Sequence, residues 1–327
     1  MKAVVVTDFG GPEVMKVMAV DLPVVAPNQV LIRVAATSVN FADIKSRYGN
    51  YHGATKPPFI PGLDAAGVIE EVGCDVQHLQ VGQRVIAFAK AGSYSEYIAA
   101  DESLTFPLPD EVDFATAAAC PIVSFTSYKL LADVGRLEAG ETVLIHAAAG
   151  GVGTTAIQLA KLLGAGKVIG TVGSEQKIAT ALEAGADHVI CYQDGSFASQ
   201  VNELTDGRGA DVILDSISGW VTEQSIDCLA HYGRLVHFGN AGGEVGHIKT
   251  KELHASCRSV LGFSLGTTRK HRPHLLKSAA DHVLPFLSDG RLTMKIGRVF
   301  PLDEAAEAHQ LVESRQSLGK VLLEVKK

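Results

Sequence analysis

The chain has 327 residues, 46% hydrophobic and 20% charged, which are globular proportions and exclude disordered and fibrous classes. Its 29 basic and 36 acidic residues leave a net charge of −7, which argues against nucleic acid as the main partner, since phosphate binding needs a basic face. No uncharged apolar run approaches the ~18 residues that span a bilayer, so no membrane association is expected.

The opening MKAVVVTDF reads as a strand and lacks the regions of a signal peptide. The five cysteines, Cys74, Cys120, Cys191, Cys228 and Cys257, are scattered with no CxxC pair. A disulfide framework and a cysteine-rich zinc module are therefore not expected, and a reducing cytoplasm fits.

Up to about residue 110 the chain runs in short β-like segments: Ala3–Thr7, Gln29–Ala35, Gly67–Val72, Arg84–Phe88 and Tyr94–Ile98. Gly and Pro clusters separate them, as in a small barrel or sandwich. The most apolar stretch, Ala115–Leu131, contains Pro121 and Lys129 and reads as a buried helix. From about Ser124 strands and helices alternate. Strands are expected at Val143–Ala147, Val168–Val172, His188–Cys191, Val212–Asp215, Arg234–Phe238 and Val260–Phe263. Helices are expected at Thr154–Leu163, Ser174–Ala184 (ended by Gly185), near Ser196–Leu204 and near Val221–Ala230. Continuous apolar strands between helices predict a doubly wound α/β parallel sheet of about six strands. The tail mixes helices (His274–Leu287, Leu302–Glu313) with strands (Lys295–Phe300, Lys320–Val325) and breaks the alternation. It is expected to return to the first domain. The expected division is 1–123 with 264–327, interrupted by a dinucleotide-binding domain at 124–263.

The strongest local signal is Val143-Leu-Ile-His-Ala147-Ala-Ala-Gly150-Gly151-Val152-Gly153, which follows a strand and opens a helix. Ala147 stands at the first glycine position of a GxGxxG pattern, followed by Gly150 and Gly153. Small residues let the backbone turn tightly and approach a pyrophosphate, which the helix N-terminus would meet with N–H groups and a positive dipole end. The next strand ends Thr171-Val172-Gly173-Ser174, without the acidic residue that usually bonds the ribose of NAD. Glu175 follows it and is explained as a first-turn acid behind the Ser174 N-cap. A cation in that first turn opposes the helix dipole, so Ser174 and Lys177 are read as holding a 2′-phosphate, against a solvated lysine as the alternative.

The segment Gly140-Glu-Thr-Val-Leu-Ile-His-Ala-Ala-Ala-Gly150-Gly-Val-Gly-Thr-Thr-Ala-Ile-Gln-Leu-Ala-Lys161 resembles the signature of the zinc-free, zeta-crystallin-like quinone oxidoreductase branch of the medium-chain dehydrogenase/reductase superfamily. Ser38-Val-Asn40-Phe-Ala-Asp43-Ile-Lys-Ser-Arg47-Tyr-Gly and Pro61-Gly-Leu-Asp64-Ala-Ala-Gly67 are similar to the same branch. The resemblance implies a Rossmann sheet inserted in a GroES-like β-rich catalytic domain, a cleft between the two, and a dimer or tetramer. It implies NADPH phosphate contacts at Lys177, Tyr192 and Arg315. It also implies that Asn40, Asp43 and Tyr51, with Phe238-Gly239 and Phe263-Ser264, lie near the nicotinamide. Local readings stand beside these: Asn40 and Asp43 could cap a loop, Tyr51 could be a surface aromatic, and Tyr192 a core-edge tyrosine.

The zinc alcohol dehydrogenases of the superfamily carry a Cys and a Gly-His-Glu motif where this chain has Asn40 and Gly62-Leu63-Asp64. A structural zinc would need four thiolates close together, and no cysteine lies between Cys74 and Cys120. No metal is expected. Without a Lewis acid, simple alcohol oxidation is disfavoured, and an acceptor already activated by conjugation is favoured. Tyr51 and Asn40 are then the candidate donors to a developing oxyanion. The expected activity is NADPH-dependent quinone reduction. An enone or enoyl-thioester reductase, or a protein that binds NADPH without catalysis, are the alternatives. His146 is read as a structural core-edge residue and Arg269-Lys270-His271-Arg272 as a solvated helix entrance. The last sheet strand, Ser259–Ser264, is expected to be an edge through which a homodimer pairs.

Overall fold

The computed structural model describes residues 1–51, 55–89, 92–192 and 195–325. Its contacts divide the chain into two units, Met1–Ile122 with Arg269–Lys327, and Val123–Thr268.

In chain order the first stretch contains β1 (Lys2–Val6), β2 (Met15–Ala19), β3 (Gln29–Val39), α1 (Phe41–Arg47), β4 (Asp64–Val72), β5 (Arg84–Phe88), β6 (Tyr97–Asp101), β7 (Thr105–Pro107) and α2 (Phe114–Ala119). There follow α3 (Pro121–Tyr128), a π-helical turn (Lys129–Val134), β8 (Thr142–Ile145), α4 (Gly151–Leu162), β9 (Lys167–Val172), α5 (Ile178–Glu183), β10 (His188–Cys191), α6 (Ala198–Leu204), β11 (Ala210–Asp215), α7 (Trp220–Asp227), β12 (Leu229–His237), α8 (Thr250–Ser256) and β13 (Ser259–Gly262). The chain ends with α9 (Leu265–His271), α10 (Leu276–Ser288), β14 (Ile296–Pro301), α11 (Ala305–Glu313) and β15 (Lys320–Glu324).

In the second unit, β8 to β13 form one parallel sheet in the order β10-β9-β8-β11-β12-β13. The alternation of apolar strands and helices is thus a doubly wound α/β sheet. Leu144, Ile169, Ile213 and Leu235 from its strands pack with Phe197, Val201, Val221 and Ile226 from α6, α7 and the segment before α6. Burial on both faces is why these strands read as unbroken apolar runs. β13 is an edge strand and only partly covered.

β8 and β12 differ from the sequence reading. β8 stops at Ile145, because Ala147 takes a left-handed conformation (φ +51°) that leaves the strand. β12 starts at Leu229, not Arg234. Its pairing with β11 slips between Ala210↔Leu229 and Val212↔Arg234, so residues 230–233 break the pattern. The apolar 115–131 stretch is helical but divided: Cys120 separates α2 from α3, which opens with Pro121, and Lys129 lies in the π-helical turn, paired with Asp133.

In the first unit, β14-β15-β3-β4-β5-β7 form a sheet with β6 added on β3. The 11-residue β3 pairs with β6 through residues 29–33 and with β15 through residues 36–39. Its second half therefore lies beside the C-terminal strand. The expected strand at Tyr94 begins three residues later, at Tyr97. Tyr94 is instead fully buried against Phe300, Leu302 and Ala308.

Candidate active site

The first unit gathers a buried polar cluster at the end of β3. Asn40 follows β3, and its backbone N–H donates to Asp43 Oδ2 at 2.8 Å, which fixes the first turn of α1. The Asn40 amide donates to Asp64 Oδ1 at 3.1 Å and to Ser38 Oγ at 3.2 Å. Its carbonyl oxygen accepts from Lys320 Nζ at 2.7 Å. Asp64 also accepts from Ser38 Oγ (2.8 Å) and from the Ile122 N–H (3.1 Å). Gly62, two residues before Asp64, has φ +98°, and a Cβ there would stand 2.3 Å from Ser93 Oγ and 2.5 Å from the Tyr94 ring. Only glycine allows the chain to pass that closely.

Burial sets the electrostatics of this cluster. It pushes the Asp43 carboxyl up to about 7, against the Asn40 N–H that favours the charge, with Asp64 adding to the rise. It also raises Asp64 and lowers Lys320, each partly restored by the other's opposite charge. Burial raises Tyr51, and the Arg269 charge draws it back.

Arg269 is a functional candidate that sequence reasoning missed. Lys270, His271 and Arg272 are exposed as expected of a solvated helix entrance, but Arg269 turns inward. Its guanidinium lies over the Phe88 ring, 5.3 Å from the centroid, and Nη1 donates to the Leu63 carbonyl at 3.1 Å. Its Nε is buried and finds no hydrogen-bond partner among the described residues. Asn40, by contrast, already directs both amide hydrogens to Asp64 and Ser38. It orders the cluster, while Tyr51 and Arg269 are the better candidates to meet a ligand oxygen. Tyr51 is half-buried, and residues 52–53 of its Gly49–Gly53 turn lie outside the described residues.

The second unit carries the glycine turn. The Ala148 N–H is held by the Thr171 carbonyl (2.9 Å) and the Gly150 N–H by the Ala147 carbonyl (2.9 Å). Gly150 is the extended N-cap of α4, followed by Gly151, Val152 and Gly153 in its first turn. A Cβ on Gly153 would lie 2.4 Å from the Ala147 oxygen and 2.6 Å from Ala148 backbone atoms. Glycine is therefore required for the helix to sit this close to the strand. The first-turn N–H groups have no acceptor within the helix, so the turn fits a pyrophosphate.

Gly173, Ser174 and Lys177 follow β9, and Tyr192 follows β10 with its N–H bonded to the Val172 carbonyl at 3.1 Å. A Cβ on Gly173 would be 3.5 Å from the Tyr192 hydroxyl, so these residues share one corner of the sheet. Phe238-Gly239 and Phe263-Ser264 follow β12 and β13, with Phe238 N–H on the Asp215 carbonyl and Phe263 N–H on the His237 carbonyl. All the candidate cofactor residues of this unit therefore line the carboxyl ends of its strands, where doubly wound sheets bind ligands. Arg315 belongs to the first unit, exposed just beyond α11 with φ +60°.

Beneath this rim lies a second buried polar group. His146 is enclosed between Thr171 Oγ1 (2.8 Å) and Ser225 Oγ (2.9 Å), and burial lowers its pKa to about 4 despite Asp215. Burial opposes charge on Asp215, but His237, His146, Thr222 and backbone N–H groups hold its carboxyl well below the usual range. His146 is neutral and structural at physiological pH.

Two family models match the chain: Alcohol dehydrogenase GroES-like domain over residues 26–110, and Zinc-binding dehydrogenase over residues 151–281. Together with the parallel sheet inserted in a β-rich unit, they define a dehydrogenase/reductase of the medium-chain type. Quinone oxidoreductase from Sus scrofa is 35% identical over 326 residues, covering 99% of this chain and 97% of that protein. Quinone oxidoreductase from Pseudomonas aeruginosa is 38% identical over 322 residues, covering 96% and 97%. The crystal structure of Escherichia coli quinone oxidoreductase complexed with NADPH is similar with a TM-score of 0.91 at 33% identity, covering 99% of this chain and 100% of that one. The chain belongs to the quinone oxidoreductase branch of the medium-chain dehydrogenase/reductase superfamily.

Proposed function

We propose that this chain reduces quinones with NADPH and needs no zinc to do so. The observation that carries the reading is the Lys320–Asn40–Asp64 cluster, in which Asn40 stands where the zinc enzymes of the superfamily carry a Cys and Asp64 ends the Gly62-Leu63-Asp64 segment that replaces their Gly-His-Glu. A zinc site needs convergent thiolate, imidazole or carboxylate donors with open lone pairs. Here the Asn40 carbonyl is directed at an ammonium, and both Asp64 oxygens accept from Ser38, Asn40 and Ile122. Among the described residues no group of three His, Cys, Asp or Glu side chains is arranged to hold a metal ion. The donor set is therefore one that organises hydrogen bonds, and the acceptor must bring its own activation by conjugation.

When bound, NADPH supplies a hydride from C4 of its nicotinamide. The chain's own residues do the rest. The α4 N-terminus and the Gly150–Gly153 turn hold the pyrophosphate. Ser174, Lys177 and Tyr192 hold the 2′-phosphate. Arg269 and Tyr51 face the oxygen that becomes negative as the acceptor gains the hydride, and stabilise it electrostatically. Asp43, with its carboxyl near 7, holds a proton close to neutrality and supplies it to the reduced product.

The edge strand β13 suits pairing with a second copy, and we infer a homodimer with one continuous sheet, to be checked by sedimentation. The five cysteines are free thiols, which suits the cytoplasm. The test of the acceptor class follows NADPH absorbance at saturating cofactor with 1,4-benzoquinone or a simple enone. Faster turnover of the quinone supports the proposal. Turnover of the enone alone reassigns the acceptor, and tight NADPH binding with neither reaction makes the protein a binder.

A further inference from the structure

The chain's single tryptophan, Trp220, opens α7 and is 38% exposed, yet it lies against two other rings. Its ring meets that of Tyr192 edge to face, with centroids 5.6 Å apart and planes at 76°. It also meets Phe197 at 6.0 Å, and Phe197, fully buried, meets the His146 ring at 4.9 Å. A file of rings thus runs from the core at His146 to Tyr192, whose hydroxyl end lies over Gly173. The backbone commits Trp220 to this place. Ser218 and Gly219, just before it, both take positive φ, +73° and +63°. A serine there is strained, and the buried Asp215 holds the turn. Its Oδ1 accepts from the Ile217 N–H (2.8 Å) and the Ser218 N–H (3.0 Å), and its Oδ2 from the Thr222 hydroxyl. Gln224, one turn along α7, accepts from the Phe197 N–H at 3.1 Å and donates to the Gly195 carbonyl. α7 therefore meets Tyr192 through its tryptophan, and holds Gly195 and Phe197 through an amide.

We infer that Trp220 is a positioning residue for cofactor selectivity: its ring fixes the Tyr192 ring so that the tyrosine hydroxyl stays over Gly173, at the corner where the 2′-phosphate is proposed to bind. A tyrosine on a rim can turn about two side-chain bonds, and each turn carries the hydroxyl at its tip to a different place. An edge-to-face partner removes that freedom and adds its own attraction. A donor already held in place binds a phosphate better, because no side-chain entropy is lost when the ligand arrives. This role depends on the proposed 2′-phosphate site at Ser174, Lys177 and Tyr192. It brings to that site a residue from a different helix, which neither the glycine turn nor the end of β9 announces. The strained Ser218-Gly219 turn then has a purpose, since it sets Trp220 against Tyr192 at the start of α7.

The test reads binding, not turnover. Adenosine 2′,5′-bisphosphate and 5′-AMP differ only in the 2′-phosphate, and competition against NADPH fluorescence gives a Kd for each. The wild type should prefer the bisphosphate. Trp220→Ala should weaken the bisphosphate by about fivefold or more and leave 5′-AMP within about twofold. Trp220→Phe, which keeps a ring for Tyr192 to meet, should restore most of the preference. Tyr192→Phe should lose the preference as well. Adding Trp220→Ala to it should cost nothing more, because the tryptophan acts through a hydroxyl that is already gone. An unchanged preference in Trp220→Ala, equal loss of both nucleotides, or additive losses in the double variant each overturn the inference. If Trp220→Ala fails to fold, the unmodified protein is read instead, since all its tryptophan emission comes from Trp220. That emission should change on saturation with the bisphosphate more than with 5′-AMP, and emission blind to the bisphosphate overturns the inference. A wild type that binds the two nucleotides equally refutes the phosphate site itself. A wild type that discriminates, beside a Trp220→Ala that discriminates as well, refutes the role of Trp220 alone.

Discussion

Two glycines of the cofactor turn separate stability from binding. Gly153 lies in the first turn of α4, where alanine would gain about 1 kcal/mol of helix propensity if space allowed. Space does not allow it. The added methyl would lie 2.4 Å from the Ala147 oxygen and 2.6 Å from Ala148 Cα and C, all backbone atoms that no side-chain rotation can move. Overpacking of this kind costs about 1–3 kcal/mol, so Gly153→Ala should be destabilised on balance by about 1 kcal/mol and should lower Tm by a few degrees. Gly150 is different: its nearest neighbour to an added Cβ is the Ala147 oxygen at 3.3 Å, and its backbone is ordinary extended chain. Gly150→Ala should stay within about 0.5 kcal/mol of the wild type. Its methyl would stand at the N-cap of α4, where the pyrophosphate is proposed to bind, and NADPH affinity should fall about tenfold or more. Thermal unfolding and fluorescence titration with NADPH read the two effects. Wild-type stability in Gly153→Ala would refute the close-approach argument. Wild-type affinity in Gly150→Ala would refute the placement of the pyrophosphate.

Two further predictions concern buried charge. His146 is neutral in the folded state with a pKa near 4, against about 6.5 when unfolded. The unfolded chain therefore binds more protons as pH falls through that window, and about 3 kcal/mol of stability should be lost between pH 6.5 and 4. His146→Gln keeps both hydrogen bonds without titrating, so urea unfolding should show the variant gaining on the wild type as pH falls, and parallel curves would contradict this. Lys320→Met removes the ammonium beside Asn40, Asp64 and Asp43, and should cost about 3–5 kcal/mol. The carboxylates take up protons more readily once that cation is gone, so the penalty should be larger at pH 8 than at pH 5. An equal penalty at both would show that Lys320 does not act on them.

The doubly wound sheet was legible because its determinants are local. Val143, Leu144 and Ile145 announce a strand covered on both faces, and Gly150 and Gly153 announce a turn that needs small residues at fixed spacing. The polar cluster was only half legible. Asn40, Asp43 and Asp64 lie in one motif-rich stretch, whereas Lys320 meets Asn40 across 280 residues and His309 meets Tyr94 across 215. In a strand such as Lys320–Glu324 a terminal lysine reads as solvent-facing, and nothing in its neighbours shows that β3 covers it. Arg269 was hidden by its company, since Lys270, His271 and Arg272 are as exposed as their composition suggests. The slip in β12 was invisible for a related reason: His231-Tyr232-Gly233 reads as a loop, although the strand resumes on both sides of it.

The proposed activity is phosphate-selective, metal-independent hydride delivery to a quinone. The direct measurement is the rate of 1,4-benzoquinone-dependent oxidation of NADPH and of NADH, by protein stripped with chelator and corrected for the uncatalysed reaction. The account predicts a kcat/KM for NADPH at least about tenfold above that for NADH, unchanged by chelation, because Lys177, Ser174 and Tyr192 are proposed to hold a 2′-phosphate that NADH lacks. A preference for NADH, or activity that disappears with the chelator and returns with zinc, would contradict it.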